Sequence, residues 1–224
     1  MIEYVIPGNI DTRVLDRGAQ ILQSGGLVAL PTDTSWSLCC SLKSRTGLKK
    51  LRHLSGERDE RHFTLLCQDI SQFGEFCHLD NTRFRVIKRL TPGPYVFILK
   101  TLGGTEKSLG LRRRELGVRI PAHSIPLELI KTLEAPLYSV TAKRKMTSSL
   151  KDTEDTIDDD FNKEEFPPIQ EDELFEGGWE MEDIRDLDLI LDGGEERPLI
   201  FSTVLDMSAD EIVLLRRGAG IWPA

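Results

Sequence analysis

Between Gly25 and Leu38 the chain reads Gly-Gly-Leu-Val-Ala-Leu-Pro-Thr-Asp-Thr-Ser-Trp-Ser-Leu, an apolar run that breaks at a proline into hydroxyls and a carboxylate. Val28 to Leu30, following a Gly-Gly turn, read as an inner strand. Pro31 cannot donate a ladder hydrogen bond and ends that strand. Thr32, Asp33 and Thr34 then fall beyond its carboxyl end, where open α/β sheets hold ligands. Such groups can bind a polar small molecule, and the same hydroxyls can also do no more than cap the turn after Pro31. Arg119 is a second signal. It stands between Val118 and Ile120 in a strand pattern, so its side chain faces away from theirs, either into solvent or onto an anion. An arginine fork binds a carboxylate or phosphate through two hydrogen bonds. Basic clusters at Lys49-Lys50-Leu51-Arg52, Arg83 to Arg89, Arg112-Arg113-Arg114 and Lys143-Arg144-Lys145 offer charge for a polyanion if they share a face, and are otherwise scattered helix charges.

The elements that must position these groups are legible in part. Residues 12–23 carry Val14, Leu15, Ala19, Ile21 and Leu22 at helical spacing, with Asp11 or Thr12 as N-cap and Gly25-Gly26 as stop. Thr46 to Leu54 reads as a basic helix, residues 55–61 as a polar loop and Phe63 to Cys67 as a strand. Asp69 to Phe76 and Asn81 to Leu90 read as short helices, and Tyr95 to Lys100 as a strand behind a rigid Pro-Gly-Pro turn. Val118 to Pro121 is a short strand, and Ile125 to Leu133 a helix opened by Ser124 with Pro126 in its first turn. Strands follow at Leu137 to Thr141, Leu187 to Leu191, Thr203 to Asp206 and Glu211 to Leu215. The alternation predicts an α/β fold with one twisted mixed sheet and helices packed on it.

At 224 residues and 39% hydrophobic, the chain is long enough for one sizeable core. The net charge of −8 conceals a split: residues 151–188 hold 17 acids against 3 bases, which leaves 20 acids and 26 bases elsewhere. The body is therefore basic, as an anionic partner requires. The acidic stretch, with little periodicity, reads as a mobile surface insertion at about 144–186 of a single domain spanning 1–224. Cys39, Cys40, Cys67 and Cys77 lack paired metal-ligand spacing, so buried free thiols are expected rather than zinc or disulfides. The first residues lack a secretory pattern and no run is long enough to span a bilayer, which predicts a cytoplasmic protein without a membrane partner.

The motif Pro31-Thr32-Asp33-Thr34-Ser35-Trp36-Ser37-Leu38 resembles the Pro-Thr-Asp/Glu-Thr-x-Tyr-Gly-Leu signature of the YrdC/YciO family, whose catalytic members make L-threonylcarbamoyladenylate for tRNA modification. Further segments resemble the family's in the same order: Thr91 to Leu99, Gly117-Val118-Arg119-Ile120-Pro121, Pro136 to Ala142, and Ser202-Thr203-Val204 with Arg216-Arg217-Gly218. The resemblance implies a YrdC-like fold with a basic concave cavity in which ATP with Mg²⁺, L-threonine and bicarbonate are joined. By this match Thr32 and Ser202 meet substrate, and Arg119 and Arg216 hold anionic groups. The family is also reported to bind double-stranded RNA, so RNA or tRNA is an implied partner.

Two departures from the synthase pattern stand out. The synthases carry Lys-x-Arg before a Pro-Leu strand. Here the helix ends Lys50-Leu51-Arg52-His53-Leu54, so that Arg52 and Leu54, or in an ungapped alignment Ser55 and Glu57, take the two cationic positions. Arg58 and Arg61 either substitute from the loop or form a solvated charge network. At Thr141-Ala142-Lys143 the family's Ser-Ala-Asn keeps a hydroxyl but exchanges an amide for a donor-only cation. Trp36-Ser37 also replaces Tyr-Gly, adding a bulky ring and removing a flexible backbone position. These features resemble the YciO branch. Nucleotide or substrate binding is therefore expected at Thr32, Thr34, Arg52, Arg119, Thr141, Lys143, Ser202 and Arg216, with no metal-ligating residue and no catalytic residue assigned. The expected function is binding or hydrolysis of threonylcarbamoyl-AMP with weak or lost synthase activity. The alternatives are a working synthase and an RNA-binding module.

Overall fold

The computed structural model describes residues 1–55, 63–105, 109, 114–146, 171–196 and 199–222. The loop with Glu57, Arg58 and Arg61, the cations Arg112 and Arg113, and most of the acidic stretch lie outside the described residues.

The described elements in chain order are β1 (Ile2–Tyr4), α1 (Thr12–Gln23), β2 (Val28–Pro31), β3 (Trp36–Ser41), α2 (Arg45–Ser55), β4 (Thr64–Leu66), α3 (Ile70–Phe76), α4 (Asn81–Leu90), β5 (Tyr95–Lys100), β6 (Glu115–Arg119), α5 (Ser124–Leu133), β7 (Leu137–Thr141), β8 (Leu189–Asp192), β9 (Thr203–Asp206) and β10 (Val213–Arg216). They make a single-domain α/β fold in which the strands join one mixed sheet, ordered β1-β8-β2-β3-β7-β4-β6-β5-β9-β10. Asp11, Asp69 and Asp80 cap α1, α3 and α4, each accepting a backbone N–H of the first turn with its carboxylate. The α5 cap is His123 rather than Ser124. His123 is extended and its ring nitrogen accepts the Ile125 N–H, so the helix begins with Ser124 itself.

Alternation along the strands sorts the core into two layers. On one face, Leu38 and Cys40 of β3, Leu65 of β4, Phe97 of β5 and Val118 of β6 pack with Leu51 and Leu54 of α2, Phe73 of α3 and Ile87 of α4. On the other, Val28, Leu30, Cys39, Leu66, Leu137, Leu189 and Leu191 pack beneath Leu15, Ala19 and Leu22 of α1 and Ile125, Leu129 and Ile130 of α5. This second layer takes no residue from β5, β6, β9 or β10. The α1/α5 helices thus cover only half of their face.

Two readings of the sequence need correction. The signature does not lead from a strand into a helix; it is the turn of the antiparallel hairpin β2–β3, in which Pro31 still pairs with Trp36. β3 escapes pattern reading because all six of its residues are buried, which erases the period of two. The described ends of the supposed mobile insertion are packed: Met146, Leu174, Phe175, Met181 and Ile184 are buried, and the last four sit within 171–186. All four cysteines are free and buried.

Leu129, fully buried between α1 and the sheet, should report the strength of the covered half. Leu129→Ala is expected to lower unfolding free energy by about 2–5 kcal/mol in urea denaturation.

Candidate functional site

The uncovered half of the α1/α5 face carries the polar residues. Arg119 pairs with Leu66 in the ladder, and Leu66 belongs to the α1/α5 layer, so Arg119 faces the same way. Through Val96 of β5 and Val204 of β9 the same cross-strand row runs on to Arg216 of β10. Two buried valines therefore form a floor with an arginine at each end.

The hairpin turn meets that floor. Arg119 donates from Nη2 to Asp33 Oδ1 at 2.7 Å and from Nη1 to Thr34 Oγ1 at 3.1 Å and Ser202 Oγ at 3.4 Å. Arg216 donates from Nε and Nη2 to the Ser202 carbonyl at 3.1 and 3.0 Å, and its guanidinium lies 5.1 Å from the centre of the Phe201 ring. β3 and β6 are three ladder steps apart, roughly 14 Å on a flat sheet. Only a strongly coiled sheet lets Arg119 reach the turn beyond Trp36. The contact is thus direct evidence of a concave surface.

Within the turn, Thr32 Oγ1 donates to the Ser35 carbonyl at 2.6 Å and accepts the Thr34 N–H at 3.2 Å. Thr32 is wholly buried and shapes the turn; Thr34 and Asp33 face the arginine. Gly218 fixes the other wall. A Cβ there would lie 2.2 Å from the Phe201 carbonyl oxygen, so only glycine lets the segment after Arg216 pass against Ser202.

Burial pushes the Arg119 guanidinium down from its ordinary range, with Asp33 opposing the shift. Burial, followed by the charge of Arg119, pushes Arg216 down to about 10. Both arginines stay charged at neutral pH, and each has lost water that an anion can replace. Two arginines against one aspartate leave one net positive charge in the cluster.

A family model for Sua5, YciO and YrdC proteins, described as "Telomere recombination", matches residues 20–166. The chain belongs to the Sua5/YciO/YrdC family. YciO of Escherichia coli K12 is 27% identical over 220 residues, spanning 97% of this chain and 95% of that protein. The crystal structure of E. coli YciO superposes with a TM-score of 0.76 at 28% identity, covering 99% of this chain and 97% of that one. The threonylcarbamoyl-AMP synthase of Mus musculus is 27% identical over 138 residues, 62% of this chain and 49% of that protein. P. abyssi Sua5, crystallised with L-threonine, shares the fold with a TM-score of 0.72 at 21% identity, over 97% of this chain and 57% of that one.

Of the residues singled out from the family signatures, the structure brings Thr32, Thr34, Arg119, Ser202 and Arg216 together. Thr141 pairs with Ser37 in the ladder and shares the Arg119 face, beside the hydroxyl of Ser139. Lys143 is buried just beyond it, where the backbone bridges to Leu174. Arg52 is not part of the cluster. It rides on α2, which packs on the opposite face, and lines a groove of about 690 Å³ with Lys43, Arg45 and Lys49. Asp33 was quoted in the family signature but not singled out as a site residue. The signal was there, since Asp33 is the only carboxylate in the signature and Arg119 needs a counter-charge once buried.

Arg119→Met would leave Asp33 buried beside no cation. It is expected to cost about 3–5 kcal/mol in urea unfolding, more than an exposed ion pair is worth.

Proposed function

We propose that this chain binds L-threonylcarbamoyladenylate in the cavity between the hairpin turn and the β6-β5-β9-β10 floor, and that it forms this adenylate poorly from ATP. The observation that carries the reading is the convergence of Arg119 and Arg216 on Ser202 beneath Asp33 and Thr34. The relatives named threonylcarbamoyl-AMP synthase and the Sua5 protein bound to L-threonine support the ligand class.

The chemistry follows from charge and geometry. An acyl adenylate carries one phosphate and one carboxylate, each a monoanion that a single guanidinium can hold. Arg119 and Arg216 serve these groups, the Thr34 and Ser202 hydroxyls orient them, and the hydroxyls of Ser37 and Thr141 continue the polar lining on the same face. Lys143 adds a cation beyond Thr141. ATP makes a heavier demand, because a triphosphate concentrates several negative charges and brings Mg²⁺ with it. Among the described residues no group of three or more His, Cys, Asp or Glu could cage a metal ion, so the ion enters on the nucleotide. Arg52, at one of the positions of the synthase cation pair, lies across the sheet from the cavity. Its placement weakens ATP use and spares the adenylate.

The test is a pair of assays. Incubation with ATP, L-threonine, bicarbonate and Mg²⁺ is expected to release little pyrophosphate, while preformed adenylate binds and decays. Robust threonine-dependent pyrophosphate release would make the protein a synthase. Inertness toward both would remove the ligand.

One feature favours a second reading, RNA binding. Arg45, Lys49 and Arg52 stand at i, i+4 and i+7 of α2, a single stripe that Lys43 extends along the groove. No helix among the described residues is long and apolar enough to cross a membrane, so a nucleic acid suits these charges better than a lipid surface. If the stripe holds RNA phosphates, the affinity for a short duplex should fall with salt at a slope of about 0.9 per contact. Arg45→Gln with Lys49→Gln should reduce that slope by about two, measured by filter binding. An unchanged slope refutes this reading.

A further inference from the structure

The Asp33–Arg119 pair is incomplete. A side-on bidentate pair would use both carboxylate oxygens against Nε and Nη2 of the guanidinium. Here Nη2 meets Oδ1 at 2.7 Å, while Asp33 Oδ2 and Arg119 Nε, both buried, find no hydrogen-bond partner among the described residues. The pair is desolvated, with the Arg119 side chain 6% and the Asp33 side chain 13% exposed. Buried polar atoms without partners are rare in native proteins, and those at a site mark where something else binds. An acceptor and a donor left over in one ion pair ask for a ligand that offers the converse: an N–H and, close to it, an anionic oxygen.

Resting on the functional reading above, we propose that Asp33 is the residue that selects an amino-acid ligand, its Oδ2 accepting the ligand's α-nitrogen proton while Arg119 Nε donates to the adjoining carboxylate. An α-amino acid, or the carbamoylated form that retains one N–H, carries both groups on neighbouring atoms. A nucleoside monophosphate carries no such nitrogen beside its anion and gains nothing from Asp33. Thr32 positions the carboxylate by fixing the turn through Ser35 and Thr34. Arg216 and Ser202 remain for the phosphate.

The inference separates two kinds of ligand, so it is tested by calorimetry with L-threonine, with 3-hydroxybutyrate, which lacks the nitrogen, and with AMP. The wild-type protein should bind L-threonine about tenfold or more tightly than 3-hydroxybutyrate. Asp33→Asn, checked for an unchanged melting temperature, should lose about the same factor for L-threonine and keep its affinity for AMP. Equal wild-type affinity for threonine and 3-hydroxybutyrate overturns the inference, and this comparison holds even if the variant fails to fold. A folded Asp33→Asn protein with undiminished threonine binding overturns it too. Wild-type protein that binds AMP but not threonine refutes the role of Asp33 and leaves the nucleotide pocket standing; binding of neither AMP nor threonine refutes both readings.

Discussion

The ion pair between Arg119 and Asp33 ties two distant parts of the sheet into one site. Arg119 belongs to β6, Asp33 to the turn between β2 and β3, and β7 and β4 stand between them in the ladder. Removing a guanidinium from water is costly, and a single carboxylate at 2.7 Å with two hydroxyls offsets that cost only while the sheet stays coiled. The curvature and the pair therefore depend on each other. Relaxing the sheet strands a buried charge, and removing the charge leaves the coil without its cross-link.

This coupling gives meaning to the half-covered face. α1 and α5 bury the strands from β8 to β4, and their layer stops where Arg119 begins. Extending the apolar layer over β6, β5, β9 and β10 would add hydrophobic stabilisation. Instead the row Arg119, Val96, Val204, Arg216 places charge at both ends of a short apolar floor. The second core layer, on the α2–α4 side, runs under this half without a break, including Phe97, Val118 and Leu205. The site thus rests on a rigid support while its own side stays open to a ligand, an arrangement that keeps the arginines from collapsing onto solvent-facing rotamers.

What the sequence revealed follows the strength of local signals. The alternation Val118-Arg119-Ile120 sufficed to turn Arg119 away from the core, and Asp11, placed before a periodic helix, sufficed for its cap. The β3 strand was hidden because Trp36 to Ser41 is buried on both faces and has no polar beat. Phe175, Met181 and Ile184 were hidden by their acidic neighbours, although they pack with Trp36 in the core, whose indole also donates to the Glu176 carbonyl. Composition is an average over residues, and three apolar anchors do not shift it. The face on which Arg52 lies was illegible for a different reason. On a helix, the choice of face is made by Leu51 and Leu54 finding Tyr138 and Leu38 across the chain, a long-range event that no window of sequence contains.

The arginines also limit what the cavity can hold. Burial and mutual repulsion act on Arg216 in the same direction, and both fall when an anion arrives, so ligand binding removes a strain already present in the folded protein. That gain is set by the net charge of the cluster, which a monoanion neutralises. Each further negative charge would enter a cavity already neutral and meet Asp33. Phe201 strengthens the limit, since its ring occupies one face of the Arg216 guanidinium, and Ser202 takes two of its donors. A triphosphate therefore needs cations from elsewhere, whereas a group with one phosphate, one carboxylate and one N–H finds within the described cavity a partner for each.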